Sequence, residues 1–362
     1  MAWLSFLKSK KLQKSFLGID IGTSSIRVVE LTRSAGNLKL ENYGEVRTLS
    51  IPKAPFRQGG QDNLLLSDQE VARVIRTILR EAEIQTKEVN FSIPDFSSFF
   101  TNFEVPPMTT KELSQVIRYE ARAYIPLPIS EVTIDYSVVG NGEKAGETKN
   151  PIKVLVTAIP NDVVNQYREI ANFTHLQVRA LEAEAFALGR ALSRNEKKVL
   201  CLIDIGACST TVNIVDKGIL KVSHSFSISG NELTEILSRS LSVEYEQAEE
   251  LKKNSGLIFS SDSQQNTKDI ILPIVDAVLA ETRKVMDVYY QSETQRVEKI
   301  ILAGGSALLP GLKDYFASEL KQEVAIADPF LGISYPQVLE QILKEMGPTY
   351  AIAVGLALKG LE

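Results

Sequence analysis

The chain has 362 residues, of which 44% are hydrophobic and 23% charged, and a formal net charge of −5. At roughly 100–200 residues per domain, that length holds two or three domains with ample core, and the ordinary composition excludes a disordered, collagenous or low-complexity chain. Lys+Arg 40 against Asp+Glu 45 argues against a nucleic-acid protein held by bulk phosphate attraction, and two Cys with two His exclude a disulfide scaffold or a four-ligand zinc site built from them alone.

The N-terminus places apolar Trp3, Leu4, Phe6 and Leu7 before Lys8, Lys10, Lys11 and Lys14. That order is the reverse of a signal peptide, so a cytosolic location is expected. The segment reads either as a frayed end or as a short amphipathic contact with an anionic membrane surface. No stretch reaches the ~18–20 uncharged apolar residues that span a bilayer. The longest candidate, 271–280, carries Asp276 in its middle.

Residues 16–31, FLGIDIGTSSIRVVEL, read as two buried strands joined by a Gly/Ser/Thr turn. Next, 67–84 has helical spacing, with Ser67 as N-cap and Glu70 three residues on. Strands are expected at 89–94 and 97–106, and a second capping box, Thr109 with Glu112, opens a helix that Pro126 stops. Strands at 131–140 and 152–160 flank a polar loop whose glycine spacing lacks the strand–helix context of a dinucleotide fingerprint. A helix follows at 161–174, then the apolar-acidic connector 178–192.

Residues 200–215, LCLIDIGACSTTVNIV, repeat the pattern of 16–31 half a chain later, with Asp204 matching Asp20. Two such hairpins predict two similar lobes, each with its own sheet. A helical region is expected over 227–256, then a surface loop at 260–269, a helix at 273–293, a strand at 297–305, a helix after Pro310-Gly311 and a buried closing helix at 348–360.

A single Asp-x-Gly turn is usually only a tight hairpin. Two facing copies can do more: the backbone N–H groups of each turn cradle phosphate oxygens, and the adjacent carboxylate holds Mg²⁺ through waters. The strand ending in Gly304-Gly305 lets a flat group approach its backbone, and Ser306 is placed to cap the following helix. No Walker A pattern occurs. Cys208, in the second turn, reads as a small packing residue, and His175 and His224 as structural.

The order of DIGTSS, DIGACSTT and AGGSALLPG resembles the two phosphate segments and the adenosine segment of the actin-like ATPase superfamily. Within it, the chain resembles the PilM family of type IV pilus assembly proteins along nearly its whole length. The matching stretches include PPMTTKELSQVIRYEARAYIPLPISEVTIDY, EAEAFALGRAL, SISGNELTEIL, AEELK and TYAIAVGLAL. The resemblance implies an α/β actin-like fold of two ribonuclease-H-like lobes. It also implies a small inserted domain of the SHS2 type, shared with the cell-division protein FtsA. The expected partition is a first lobe at 1–90 with the 173–198 connector and the 348–362 helix, an insert at 91–172, a second lobe at 199–228 and 273–347, and a helical subdomain at 229–272.

Carried over by position, the resemblance puts ATP and Mg²⁺ between the lobes. Asp20, Gly22, Thr23, Ser24 and Ser25 line the first phosphate loop, and Gly206, Ser209, Thr210 and Thr211 line the second with Asp204. Asp20 and Asp204 are the metal candidates. Arg27 is either a phosphate contact or a solvent-facing strand residue. Gly230 and Asn231 open a helix facing phosphate or ribose. Glu249 and Lys252 contact ribose and adenine, or form an ordinary ion pair three residues apart. Gly304, Gly305, Ser306 and Leu309 shape the adenine pocket, and Glu182 and Glu184 are candidates for positioning a water. The family implies ATP binding with weak turnover, placement at the cytoplasmic face of the inner membrane, and a partner in the N-terminal segment of a PilN-like membrane protein. Other platform proteins and self-association are further possible partners, and nucleic acid is not one. The rival readings are an FtsA-like filament former, a small-molecule kinase on the same fold, and a scaffold with a degenerate pocket.

Overall fold

The computed structural model describes residues 14–34, 36–47, 67–139, 150–194, 196–258 and 267–362. The apolar-then-basic N-terminus before Lys14, the loop tip at 140–149 and most of the 260–269 loop lie outside the described residues. Among those described, no helix is long and apolar enough to cross a membrane.

Both duplicated segments form antiparallel pairs. In the first lobe, β1 (Lys14–Ile21) pairs with β2 (Ser25–Ser34), which pairs with β3 (Asn37–Arg47). On the other side β1 runs parallel to β4 (Glu88–Ile93), and β4 to β8 (Gln177–Ala183). The resulting order is β3-β2-β1-β4-β8. The second lobe repeats it with β9 (Leu200–Ile205), β10 (Thr210–Asp216), β11 (Ile219–Phe226), β12 (Lys299–Ala303) and β13 (Glu323–Ile326), in the order β11-β10-β9-β12-β13. Strands β9, β12 and β13 are parallel. The near-continuous apolar runs of β1, β4, β9 and β12 follow from this, because helices cover both faces of each sheet's parallel part.

Two helices join the lobes. Helix α9 (Glu340–Leu361) packs on β1, β2 and β4, and α4 (Glu184–Ser193) packs against α9 and reaches β10 and β11. Their apolar faces share one core with Leu200, Leu202 and Val215 of the second lobe. The opposite face of the first sheet is covered by α1 (Asp68–Glu81) and α3 (Asn161–Thr174). The Ser67–Glu70 capping box opens α1, with each side chain serving the other's backbone.

The inserted unit is smaller than 91–172. Strand β4 belongs to the first sheet, and α3 sends Val163, Tyr167 and Ile170 into the first lobe's core. The small domain proper is a three-stranded sheet, β5-β7-β6, of β5 (Phe99–Val105), β6 (Val132–Val138) and β7 (Ile152–Pro160). Helix α2 (Thr110–Glu120), opened by the Thr109–Glu112 box, lays Leu113 and Ile117 on that sheet. An apolar strand followed by a helix carries no local mark of which sheet it joins, so the boundary is a tertiary decision.

Two other expected boundaries fall inside helices. Helix α7 (Thr267–Glu293) runs through Pro273, and α9 runs through Pro348. Each proline forgoes one ladder hydrogen bond, and tertiary packing keeps the helix continuous across it. The second lobe's helical part comprises α5 (Gly230–Leu241), α6 (Tyr245–Ser255) and the start of α7. Helix α8 (Leu312–Leu320) begins six residues after Ser306, with Gly311 at its N-cap, so Ser306 does not cap it.

Candidate functional site

The two Asp-Ile-Gly turns have the same internal geometry. Gly22 N–H donates to the Ser25 carbonyl at 3.0 Å, and Gly206 N–H donates to the Ser209 carbonyl at 2.9 Å. Thr23 and Ser24 lie accessible at the first tip, whereas Ser25 turns inward with its hydroxyl unpaired. In the second turn both threonine hydroxyls are engaged: Thr210 donates to the Ile228 carbonyl at 2.7 Å and Thr211 meets Ser225 at 2.8 Å. Ser209 and the turn backbone therefore remain as that loop's contribution.

Asp20 sits opposite Arg27 in the β1–β2 register, 3.7 Å from its guanidinium, and accepts from the Ser92 hydroxyl at 2.7 Å. Arg27 also donates to Glu45 at 3.0 Å, so it is held in the sheet rather than free in solvent. Asp204, from the other lobe, is close enough to feel the Asp20 charge. Desolvation and that charge, with Arg27 acting against them, push its carboxyl up to about 7.

Two further carboxylates join them. Asp95, just past the end of β4, accepts from Ala185 N–H at 3.0 Å, while Glu184 accepts from Asp95 N–H at 3.2 Å. Each thus caps the other's short helical start. Burial, with the Asp204 and Asp20 charges, raises Asp95 to about 7; burial and the charges of Asp95, Asp20 and Asp204 push Glu184 well up. Sequence reasoning missed Asp95. The only local signal was Pro94 closing the strand beside β1.

Glu182, expected beside Glu184 as a water-positioning candidate, is committed elsewhere. Its two oxygens take Arg190 at 2.7 and 2.8 Å, and Lys359 at 2.7 Å. Those cations outweigh burial and hold its carboxyl below the usual range. It ties β8, α4 and α9 together, because β8 ends at Ala183 and the chain turns between the two glutamates.

The Gly304-Gly305 segment closes against the second turn. Gly304 has φ +83°, and a Cβ there would stand 2.2 Å from Asp204 Oδ1. Its N–H donates to the Pro348 carbonyl at 3.0 Å, and Ser306 N–H donates to Ile205 at 3.2 Å. Gly305 faces open space, whereas Leu309 is buried in the second-lobe core. The first amides of α5 are spent on the turn: Gly230 N–H donates to Gly206 and Asn231 N–H to Ala207, at 2.9 and 3.0 Å. That helix start therefore fixes the second turn, and those two donors are not open to a ligand.

Glu249 and Lys252 form an ion pair at 2.6 Å in which Lys252 also donates to the Gly230 carbonyl at 2.9 Å and to Thr234 at 2.7 Å. Thr234 donates to Glu249 at 2.5 Å. Burial raises the Glu249 carboxyl, but the Lys252 charge and the hydrogen bonds from Lys252, Thr234 and Lys253 bring it down to about 2. Because this folded pKa lies below the unfolded value near 4.5, its stabilisation is complete above that pH and is lost as pH falls toward 2. Burial of the Lys252 ammonium offsets part of the gain. Replacing Glu249 by Gln is therefore expected to cost on the order of 1–2 kcal/mol at pH 7 and about a quarter of that at pH 2.5, read from urea unfolding at both values.

The residue set suits a hard cation. Asp20 and Asp204 offer oxygen donors, and burial first, then the charges of neighbouring carboxylates, raise Asp95 and Asp204. Among the described residues no three such groups gather closely enough to chelate a bare ion. An ion that keeps waters and is completed by phosphate fits that spacing.

The model of the family described as type IV pilus assembly protein PilM matches residues 18–361. The chain belongs to the PilM family. A solved PilM–PilN type IV pilus biogenesis complex superposes with TM-score 0.82 at 26% identity, covering 96% of this chain and 98% of that one. MreB5 of Spiroplasma citri bound to ADP, at 12% identity, TM-score 0.51 and coverage of 92% and 98%, shares the actin-like ATPase fold. FtsA of Staphylococcus epidermidis is 22% identical over 370 residues, spanning 89% of this chain and 76% of its own. This PilM-family chain is thus an actin-like protein of the type IV pilus assembly class.

Proposed function

We propose that the chain is a nucleotide-gated assembly factor. It binds Mg·ATP between its lobes, and its small domain receives the cytoplasmic N-terminal segment of a PilN-like inner-membrane protein. The observation that carries the reading is duplication. Two turns with one geometry, on two sheets of one order, place Asp20 and Asp204 within electrostatic reach of each other. The nucleotide-bound MreB5 on the same fold supports the ligand, and the PilM–PilN complex supports the partner.

In this reading the tips at 22–25 and 206–209 present backbone N–H groups to phosphate, with Thr23, Ser24 and Ser209 as side-chain donors. Asp20 and Asp204 would hold Mg²⁺ there. Once bound, the ion supplies charge neutralisation on the phosphates. Gly305 leaves room for the base, and the Glu249–Lys252 pair fixes α5 and α6 beside it. Glu184 and Asp95 hold the water nearest the terminal phosphate. Burial and the neighbouring carboxylates raise both groups, Asp95 to about 7 and Glu184 well above its ordinary value.

Coupling has a physical route. The small domain is inserted in the first lobe, yet Asn102 of β5 donates to the Lys221 carbonyl of β11 at 2.8 Å, and buried Lys221 donates to the Val139 carbonyl. Lys153 of β7 pairs with Glu293 of α7 at 3.1 Å. Closure of the second lobe therefore pulls on the domain that takes the partner, and a ligand with differential affinity for the closed state shifts both.

Calorimetric titration of Mg·ATP, with and without a peptide from the start of a PilN-like protein, tests this. Nucleotide is expected to change peptide affinity about fivefold or more. A Lys221→Met, Lys153→Met double variant is expected to bind each ligand alone as before and to weaken the coupling, because the Asn102 bond to the Lys221 main chain remains. Peptide binding with no Mg·ATP binding would overturn gating and leave a scaffold.

A further inference from the structure

A concavity of about 540 Å³ lies at the end of α4 remote from Glu184, where that helix meets the β10–β11 turn and the end of α9. Arg190, Arg194 and Lys197 line it from one side and Lys217 from the turn, against two carboxylates, Glu196 and Glu362. Both carboxylates are engaged. Glu196 takes Lys299 at 2.7 Å, and Glu362 lies 3.4 Å from Arg190. Lys197 and Lys217, by contrast, have no ion-pair partner among the described residues. Arg194 donates through Nη2 to the Leu331 carbonyl at 2.6 Å and leaves its Nε without an acceptor. Burial and the nearby Arg33 charge lower the Arg194 pKa, as expected where cations crowd without counter-charge.

Scattered surface lysines are an ordinary solvated face. Here the spare positive charge is gathered around one recess whose volume falls in the ~300–1,000 Å³ range of small-ligand sites. We propose that this recess binds a phosphate-bearing ligand, with Lys197, Lys217 and Arg194 as its charge partners. A multiply charged oxyanion matches two mobile ammonium groups and a planar guanidinium better than a single carboxylate does. Lys217 lies on the turn between β10 and β11 and Arg194 follows α4, the helix that packs on both sheets, so an occupant joins the second sheet to that connecting helix at a place apart from the two Asp-Ile-Gly turns.

Hydrogen exchange of the full chain with inorganic pyrophosphate tests the site apart from the nucleotide reading, because the two report in different peptides. Protection is expected over 189–197 and 216–220. In a Lys197→Glu, Lys217→Glu double variant, the pyrophosphate concentration needed at those peptides is expected to rise about tenfold or more. Protection of 20–27 and 204–211 by Mg·ATP is expected to be the same in both proteins. A parallel arm uses phosphatidylglycerol vesicles: a response to vesicles alone, lost in the variant, makes lipid phosphate the source and upholds the site. Pyrophosphate protection confined to 20–27 and 204–211, equal responses in the variant, or no response to either probe would overturn it.

Discussion

Replacing Asp204 with Ala is expected to weaken Mg·ATP binding by about a hundredfold or more, while the ligand-free protein becomes no less stable at pH 8. The two effects have one cause. Burial, and then the charge of Asp20 within electrostatic reach, raise the Asp204 carboxyl to about 7, so above neutral pH the fold carries a poorly solvated charge that Asp20 repels. Since the folded pKa lies above the unfolded value of 3.8, this residue's burden is absent below that pH and complete once pH passes about 7. The variant is therefore expected to gain stability relative to the native protein as pH rises from 4 to 8. In the proposed reading Asp20 and Asp204 would hold Mg²⁺, whose charge would offset this repulsion. Calorimetry for affinity, and urea unfolding at both pH values for stability, separate this from a merely structural role. Unchanged nucleotide affinity would remove Asp204 from the site.

The largest loss of stability is expected from Gly18→Ala. A Cβ at Gly18, in β1, would stand 1.9 Å from the Ala353 carbonyl and 2.6 Å from the Ala357 amide of α9. On the helix's other side, a Cβ at Gly355 would stand 1.9 Å from the Ala187 carbonyl of α4. Helix α9 is thus wedged between the first sheet and α4 at backbone contact distance, and neither neighbour is a flexible side chain that can yield. One methyl group at Gly18 is expected to cost about 3 kcal/mol or more, seen as a lowered urea midpoint or as failure to fold. Gly305→Ala is the matched control. Nothing lies within 4 Å of its Cβ, so stability is expected to stay within about 0.5 kcal/mol.

Much of this architecture is legible in one dimension. The doubled Asp-Ile-Gly pattern announces two lobes, because a strand–turn–strand with a fixed carboxylate is a local object whose second copy is visible by eye. The Ser67 and Thr109 capping boxes mark helix starts for the same reason, being satisfied within four residues. Family membership follows from motifs in order along nearly the whole chain, and the family model spans 18–361.

What local pattern cannot carry is proximity across the chain. Glu182 and Glu184 look interchangeable in sequence, but the strand-to-helix turn between them sends Glu182 to Arg190 and Lys359 and Glu184 to the acidic cleft. Asp95 is an unremarked residue after a proline until β4 takes its place beside β1 and brings it to Glu184. The prolines of α7 and α9 read as boundaries because the cost of a lost ladder bond is local, whereas the packing that outweighs it comes from distant residues. The same holds for the insert, where the side chains of α3 choose the first lobe's core over the small sheet. The sequence by itself determined the two lobes, the order of the two Asp-Ile-Gly turns and the Gly304-Gly305 segment, and the family. Only the tertiary structure decided which carboxylates feel one another's charge and where the small domain ends, because burial and charge coupling depend on distances that no short window of sequence contains.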